Sequence, residues 1–340
     1  MTNSKMKKVI IRFPNWLGDC IMAAPVLTAL RNAHPEWEVT LLVRGYLSQL
    51  FRSDPRVDHV IELKDKSDSF NPTGFFELAD ELGQAGYDTG IILPDSFSSA
   101  LIFFMAKIPT RIGYKAQMRR FMLTDALDQP KKIIHRSQKY LRLLKSVDVI
   151  PHVDVEPEIF PDDESRQRAE LLARGLDRYI VITPQTNAPS RRWGYDKYSK
   201  LIARVVKALK LQVVLLGAEN EYDVVEKVGS DSGVQFLNLA GRASLPVSYG
   251  IMKEALCFVG NDSGAAHLAA AAGTYTISIS GADNPEETRP LAARGKIIRS
   301  DLPCISCVKN ICPRKDVPME CMHVISVEEV FEAVRETVDE

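Results

Sequence analysis

The residues best suited to chemistry crowd into one stretch, Val259-Gly260-Asn261-Asp262-Ser263-Gly264-Ala265-Ala266-His267. The apolar run Ala255 to Val259 reads as a short buried strand. Leu268 to Gly273 reads as a helix of small residues closed by glycine. Asp262 or Ser263 can cap that helix, and Gly264 lets a ligand approach the backbone with no Cβ in the way. A strand, a glycine turn and a helix N-terminus in succession form an anion site, because free N–H groups and the helix dipole point outward together. His267, near the first helical turn, can donate to a phosphate. The plain alternative is a capped helix with a partly buried histidine. With Asp, Ser, Gly and His so close together, a diphosphate site is the better reading.

Further segments carry compatible chemistry. Leu17-Gly18-Asp19 sets a carboxylate at the start of a helix, where the dipole favours the ionised form. Such an aspartate can take a proton from a hydroxyl nucleophile, or merely satisfy helix N–H groups. Thr183 to Trp193 is rich in hydroxyls and amides and ends in Arg191-Arg192-Trp193. Thr186 offers a hydroxyl to a phosphate or shapes an ordinary turn. Arg191 suits a diphosphate through its fork of donors, or pairs with an acid. Glu219, just past a later strand, stands where a ribose or base lies in a nucleotide domain. Cys304, Cys307, Cys312 and Cys321 have the spacing C-x2-C-x4-C-x8-C. That reads either as a structural zinc site or as reduced free thiols in a loop.

These loops need a frame, and the chain supplies one twice. Lys7 to Phe13 reads as a strand, Cys20 to Ala33 as a helix stopped by His34-Pro35, and Val39 to Val43 as the next strand. Leu50 to Pro55 and Phe75 to Leu82 read as helices around a strand at Val60 to Leu63. A strand at Ile91 to Leu93, an apolar core helix at Ser98 to Ala106 and a strand at Arg111 to Tyr114 follow. Pro151 to Asp163 is proline- and acid-rich and reads as a linker, giving a first domain at 1–155 and a second domain at 164–340. Strands at Tyr179–Thr183, Val213–Leu216, Leu237–Leu239 and Thr276–Ile279 then alternate with helices, and the chain ends on an amphipathic helix, Val327 to Val338. Such alternation predicts parallel sheets with helices on both faces. The fold class is therefore α/β, two Rossmann-like domains with parallel sheets facing an interdomain cleft; 340 residues give each its own core.

Several function classes lose support. Neither first-strand loop has G-x-G-x-x-G and no Walker lysine motif is present, which disfavours nicotinamide binding and ATP hydrolysis. No apolar stretch is long enough to span a bilayer, and the polar N-terminus leads into a strand with no signal h-region, so a cytoplasmic location is expected. Lys107 to Lys145 holds eleven Lys/Arg against two acids on a chain of net charge -1. That asymmetry suggests an anionic partner or membrane surface; a solvated helical face is the other reading. Its aromatics are too sparse for base stacking, which argues against nucleic acid.

At this point the sequence resembles the ADP-heptose:lipopolysaccharide heptosyltransferases, over nearly the whole chain. The carriers are Asn15-Trp16-Leu17-Gly18-Asp19, Leu93-Pro94-Asp95-Ser96 to Arg111-Ile112-Gly113-Tyr114, Arg191-Arg192-Trp193, and Asn261-Asp262-Ser263-Gly264 with His267. The Trp-x-Gly-Asp loop is most similar to the heptosyltransferase II branch, which adds the second inner-core heptose. The resemblance implies a GT-B architecture, with ADP-heptose bound by the second domain and a lipid A–Kdo–heptose acceptor bound by the first. It implies inverting transfer with no cofactor or metal needed for chemistry, at the inner face of the inner membrane. Asp19 matches the family's catalytic base. Asp262, Ser263, Gly264 and His267 match the nucleotide-sugar loop, and Glu219 an adenosine contact. Arg191 falls where a lysine is usual, and Gly194 where proline is common, so this loop is expected to be placed differently. A paralogue with another core acceptor or sugar, and a non-catalytic nucleotide-sugar-binding protein, are the other readings; Asp19 argues against the second, because binding alone needs no base.

Overall fold

The computed structural model describes residues 7–63, 72–150 and 156–339. Residues 151–155, the first part of the expected linker, and the first six residues of the polar N-terminus lie outside them. The chain divides into two compact units, Met1–Phe160 and Pro161–Glu340.

The first unit holds six parallel strands: β1 (Lys8–Arg12), β2 (Glu38–Arg44), β3 (His59–Leu63), β4 (Thr89–Ile92), β5 (Thr110–Tyr114) and β6 (Asp125–Leu127). Their order in the sheet is β3-β2-β1-β4-β5-β6. Contiguous β-branched and aliphatic residues form the central strands because both faces are covered. Ile10, Ile11, Ile91 and Ile92 are wholly buried, and Ile10 and Ile92 pack with Phe103 and Ala100 of the helix Phe97–Met105. Each such side chain contributes about 1.5–3 kcal/mol by leaving water.

The second unit repeats the plan with β7 (Tyr179–Thr183), β8 (Gln212–Leu215), β9 (Leu237–Asn238), β10 (Cys257–Asn261), β11 (Tyr275–Ser280) and β12 (Gly295–Arg299). The order is β12-β11-β10-β7-β8-β9. In both sheets the first strand lies beside the fourth, and the chain winds outward from that pair in opposite directions. The reversal opens a crevice at the carboxyl ends of β1/β4 and of β7/β10, where doubly wound sheets bind ligands. Trp193 and Tyr198 meet edge to face at 4.9 Å in the second core. The final helix, Val327–Asp339, starts with the capping box expected of Ser326 and Glu329: Glu329 N donates to Ser326 Oγ at 3.1 Å, and Ser326 N to Glu329 Oε2 at 3.2 Å.

The local expectations fail in instructive places. The helix expected over Cys20–Ala33 is two, Leu17–Ala23 and Pro25–Ala33, because Pro25 has no N–H to continue the first and suits the start of the second. Leu50–Pro55 is not a helix. Its backbone bonds, Phe51 N to Ser48 O and Asp54 N to Phe51 O, span three residues, and Pro55 biases Asp54 away from helical geometry. The helix expected from Leu268 begins earlier, at Gly264, and runs to Ala271. Strand β6 and the helix Arg136–Arg142 were not anticipated. No helix among the described residues is long and apolar enough to cross a membrane.

Candidate active site

In the second unit β10 ends at Asn261, beside β7, with Gly260 opposite Thr183. A Cβ at Gly260 would stand 2.6 Å from Thr183 Oγ1, so glycine is what lets the two strand ends close up. Asn261, fully buried, spans the two loops: its Oδ1 accepts from Trp193 N at 2.9 Å and its Nδ2 donates to Pro184 O at 3.0 Å. Trp193 is itself buried, its indole donating to Ile325 O at 2.9 Å. The loop after β7 is thus held at its start and its end, and the one-turn helix Pro189–Arg191 lies between.

That turn aims Arg191 at Asp262, Nη1 to Oδ2 at 2.7 Å. Asp262 is 4% exposed and Arg191 25%, so the pair is neither bare surface nor sealed core. Ser263 takes the N-cap position of the Gly264–Ala271 helix but makes no side-chain cap bond, contrary to the capping role expected of it. Its Oγ, Arg191 Nε and Thr183 Oγ1 are buried without a protein partner. Buried polar groups are rarely left so; all three lie on or after the ends of β7 and β10, and such groups with a helix N-terminus are suited to an oxyanion. His267 is buried within the first turn of the same helix, and Thr186 is buried in the loop, where its carbonyl accepts from Arg192 Nε at 3.2 Å. Glu219 lies exposed in a one-turn helix after β8; its neighbour Glu221, not Glu219, closes that turn by accepting from Ala218 N at 2.8 Å. Gly194 has φ +117°, which proline, fixed near -65°, cannot adopt.

In the first unit the reversal falls at β1 and β4, and an aspartate follows each. Asp19 lies in the first turn of the helix Leu17–Ala23, and its Oδ1 meets Arg136 Nη1 at 2.8 Å and the Tyr140 hydroxyl at 3.4 Å. Burial, and secondarily the charge of Asp19, push the Tyr140 hydroxyl well above the ordinary tyrosine range, so it stays protonated and can donate. Asp95 meets Lys139 Nζ at 2.6 Å and Arg119 Nη2 at 3.4 Å. Arg136, Lys139 and Tyr140 stand on one face of a single helix by their spacing. The loop carrying Asp19 is pinned by Arg12, which donates to Asn15 Oδ1, by Tyr46, whose hydroxyl donates to Asn15 O at 2.8 Å, and by Cys20, whose thiol donates to Pro14 O at 3.0 Å. A depression of about 470 Å³ lined by Arg31, Trp37 and Asp58 lies instead at the amino end of β2, away from these groups.

Residues 75–317 match the profile of glycosyltransferase family 9 (heptosyltransferase). The chain belongs to this family. It is a glycosyltransferase of the GT-B fold. A lipooligosaccharide heptosyltransferase 2 from Haemophilus influenzae is 29% identical over 306 residues, 86% of this chain and 88% of that protein. The solved E. coli ADP-heptose lps heptosyltransferase II is 21% identical with a TM-score of 0.81, covering 97% of this chain and 98% of its own. A family 9 glycosyl transferase from Veillonella parvula reaches a TM-score of 0.86 at 21% identity, covering 98% of each chain.

Within this glycosyltransferase, one expectation about charge changes. Arg119, grouped by sequence with a lipid-facing basic segment, is wholly buried. It donates to the carbonyls of Tyr114 (2.9 Å), Pro94 and Ser96 (3.1 Å), and so props the loop that carries Asp95. The four C-terminal cysteines are free thiols lining one small cavity, yet no group of three or more His, Cys, Asp or Glu among the described residues stands in metal-holding geometry. Asn261, Arg136, Lys139 and Tyr140 are the site residues that sequence reasoning missed. Asn261 was inside the motif and readable as a loop pin; the helical spacing of 136, 139 and 140 was the only signal for the others.

Proposed function

We propose that the protein transfers L-glycero-D-manno-heptose from ADP-heptose to the heptose of the lipopolysaccharide inner core, with inversion. The second unit holds the donor. Arg191, Ser263, Gly264, His267 and the helix N-terminus at Gly264 receive the diphosphate and stabilise it as it departs, Thr186 lines the same loop, and Glu219 takes the nucleoside. Asp262 fixes the Arg191 guanidinium so that its remaining donors face the diphosphate. The first unit holds the acceptor. Asp19 takes the proton of the attacking hydroxyl, while Arg136 and Tyr140 hold Oδ1 and leave Oδ2 for the substrate. No cofactor or metal takes part in the transfer. An ion at the four cysteines is structural, because four sulfur ligands leave no open position.

The single observation that most supports this reading is the cradle at the β7/β10 reversal, three buried unpartnered polar atoms beside Arg191. The test is turnover of purified protein with ADP-heptose and core acceptors carrying zero, one or two heptoses. Transfer to the one-heptose acceptor alone is expected. Preference for another acceptor makes the protein a paralogue of different specificity, and no transfer to any removes the reading.

The acceptor is a lipid, and the first unit has a face suited to its membrane. Met118 is 89% exposed and Phe121 65%; Phe121 lies 6.4 Å from Phe97 and 6.2 Å from Phe104, centroid to centroid. Exposed Lys107, Lys115 and Arg120 come from the same segments. Aromatic rings with cations nearby suit the anionic interface of a leaflet. Peripheral contact with the cytoplasmic face of the inner membrane follows.

A further inference from the structure

A large apolar side chain left in solvent is ordinary when it stands alone on a surface, so its place decides whether it has a task. Trp16 is 61% exposed, whereas Trp37 and Trp193 are buried. It takes the N-cap position of the helix Leu17–Ala23, and Asp19 is the third residue within that helix. Side chains at these two positions stand next to one another, which is the proximity that a capping box uses. The bare indole therefore rises beside the carboxylate given the role of base.

The backbone beneath it is held from several sides. Asn15 accepts from Arg12 through Oδ1, and from the Tyr46 hydroxyl through its carbonyl at 2.8 Å. Trp16 O accepts from Cys20 N at 2.9 Å, and Pro14 O from the Cys20 thiol at 3.0 Å. Arg12 is buried, and that burial lowers its pKa to about 10, so it is still a cation at neutral pH. A buried cation is costly to keep, and this one serves to pin the loop. Tyr46 is exposed and tied by its hydroxyl to the residue before Trp16, so a second ring stands at the loop. An exposed ring on a backbone already fixed has little freedom left to lose on binding.

We propose that the Trp16 indole is the platform for the acceptor's sugar ring, and that it selects an acceptor already carrying one heptose. A pyranose presents faces of C–H groups, whose partial positive charge suits the negative face of an aromatic ring. The hydroxyl that attacks must come within hydrogen-bond reach of Asp19, which brings the ring bearing it against the neighbouring indole. An acceptor without that heptose has no such ring to offer and loses the contact. No bond is made or broken at Trp16; it binds and orients the sugar. The inference rests on the proposed function, in which Asp19 is the base and the acceptor is an inner-core heptose.

The test is KM and kcat with soluble core fragments carrying zero or one heptose, in the parent, Trp16→Ala and Trp16→Phe. Trp16→Ala should raise KM for the one-heptose fragment by about tenfold, with kcat changed far less and ADP affinity unchanged. Trp16→Phe should recover most of the loss. Both variants should melt near the parent's temperature, because the side chain is exposed. Emission gives a second readout, since Trp16 is the one exposed tryptophan of three. With ADP present, the one-heptose fragment should shield the parent from quenching by acrylamide and the zero-heptose fragment should not; Trp16→Phe should show no shielding. Unchanged KM in Trp16→Ala, or quenching indifferent to the one-heptose fragment, overturns the platform. Shielding by anionic vesicles alone assigns the ring to a membrane, and shielding that grows with protein concentration assigns it to a second copy; either overturns the proposal. A parent that turns over neither fragment faults the functional reading instead, and the quenching result still decides whether the sugar meets Trp16.

Discussion

The two units share one strand order and place charged residues at the same point in it, but they neutralise those charges in opposite ways. In the first unit, Asp19 and Asp95 follow β1 and β4, and their cations arrive from a helix far along the chain, as Arg136 and Lys139. In the second, Asp262 follows β10 and its cation comes from the adjacent loop, as Arg191. The first arrangement holds carboxylates at the reversal with one oxygen of Asp19 carrying both contacts. The second buries the carboxylate, 4% exposed, and leaves donors around it: Arg191 Nε, Ser263 Oγ and Thr183 Oγ1. On the proposed function, one scaffold therefore offers an acceptor of protons in one unit and a receiver of anions in the other. A fold does not fix a function; the loops at its reversal do.

The largest expected effect breaks the first half of that contrast. Asp19→Asn keeps the shape but cannot take a proton. Turnover should fall by about two to four orders of magnitude, with ADP affinity unchanged by calorimetry. Near-normal turnover would remove the role of base from Asp19 and leave it a partner for Arg136.

How much of this was legible beforehand follows from the range of each interaction. Tyr179–Thr183 could be read as a strand because a strand covered on both faces is a continuous apolar run. The Asp262–His267 turn could be read because strand, turn and helix are consecutive. The partners of Asp19 and Asp95 could not, because 117 and 44 residues separate them from Arg136 and Lys139. Nothing local records a pairing made by topology. Arg119 was misread for the same reason: in sequence it is one of a basic run, and only the placement of β4 and β5 puts three carbonyls around it. Pro25, by contrast, acts locally: it ends one helix and starts the next at a position the sequence itself marks.

Arg119 and Arg120 test that lesson directly. Arg119→Met strips its donors from the carbonyls of Tyr114, Pro94 and Ser96 and leaves Asp95 with one cation fewer. Loss of a buried charge network of this kind costs about 3 kcal/mol, read as a lowered denaturation midpoint. Arg120→Ala, one residue on and exposed, should shift stability by less than about 0.5 kcal/mol. Equal effects would show that the loop carrying Asp95 is not propped as described.

The second unit's half of the contrast predicts smaller, purely binding effects. Arg191→Ala should weaken ADP by roughly 10- to 100-fold, the worth of a charge-assisted contact, and His267→Ala by about tenfold. Arg191→Lys should fall between Arg191→Ala and the parent, since it keeps the charge but loses the fork that meets Asp262. A matching loss in Asp19→Asn would mean that the two units do not divide the work.

The smallest effect concerns the side of the first unit proposed to meet the membrane. A cation near an anionic leaflet contributes about 1 kcal/mol, and the screening length is about 8 Å at physiological salt. Arg120→Ala should therefore weaken binding to vesicles containing anionic lipid by a few fold at low salt, and by less as salt rises. Phe121→Ser, which removes the ring between Phe97 and Phe104, should weaken it with little salt dependence, because its contribution is apolar. Neither change should alter ADP affinity, since neither residue belongs to the donor unit. Turnover should fall only on acceptor embedded in vesicles and not on a soluble core fragment. That last comparison separates a membrane contact from a defect at Asp19, because a damaged base slows both acceptors alike. Vesicle binding that ignores both substitutions and salt would reduce the segment to a solvated face.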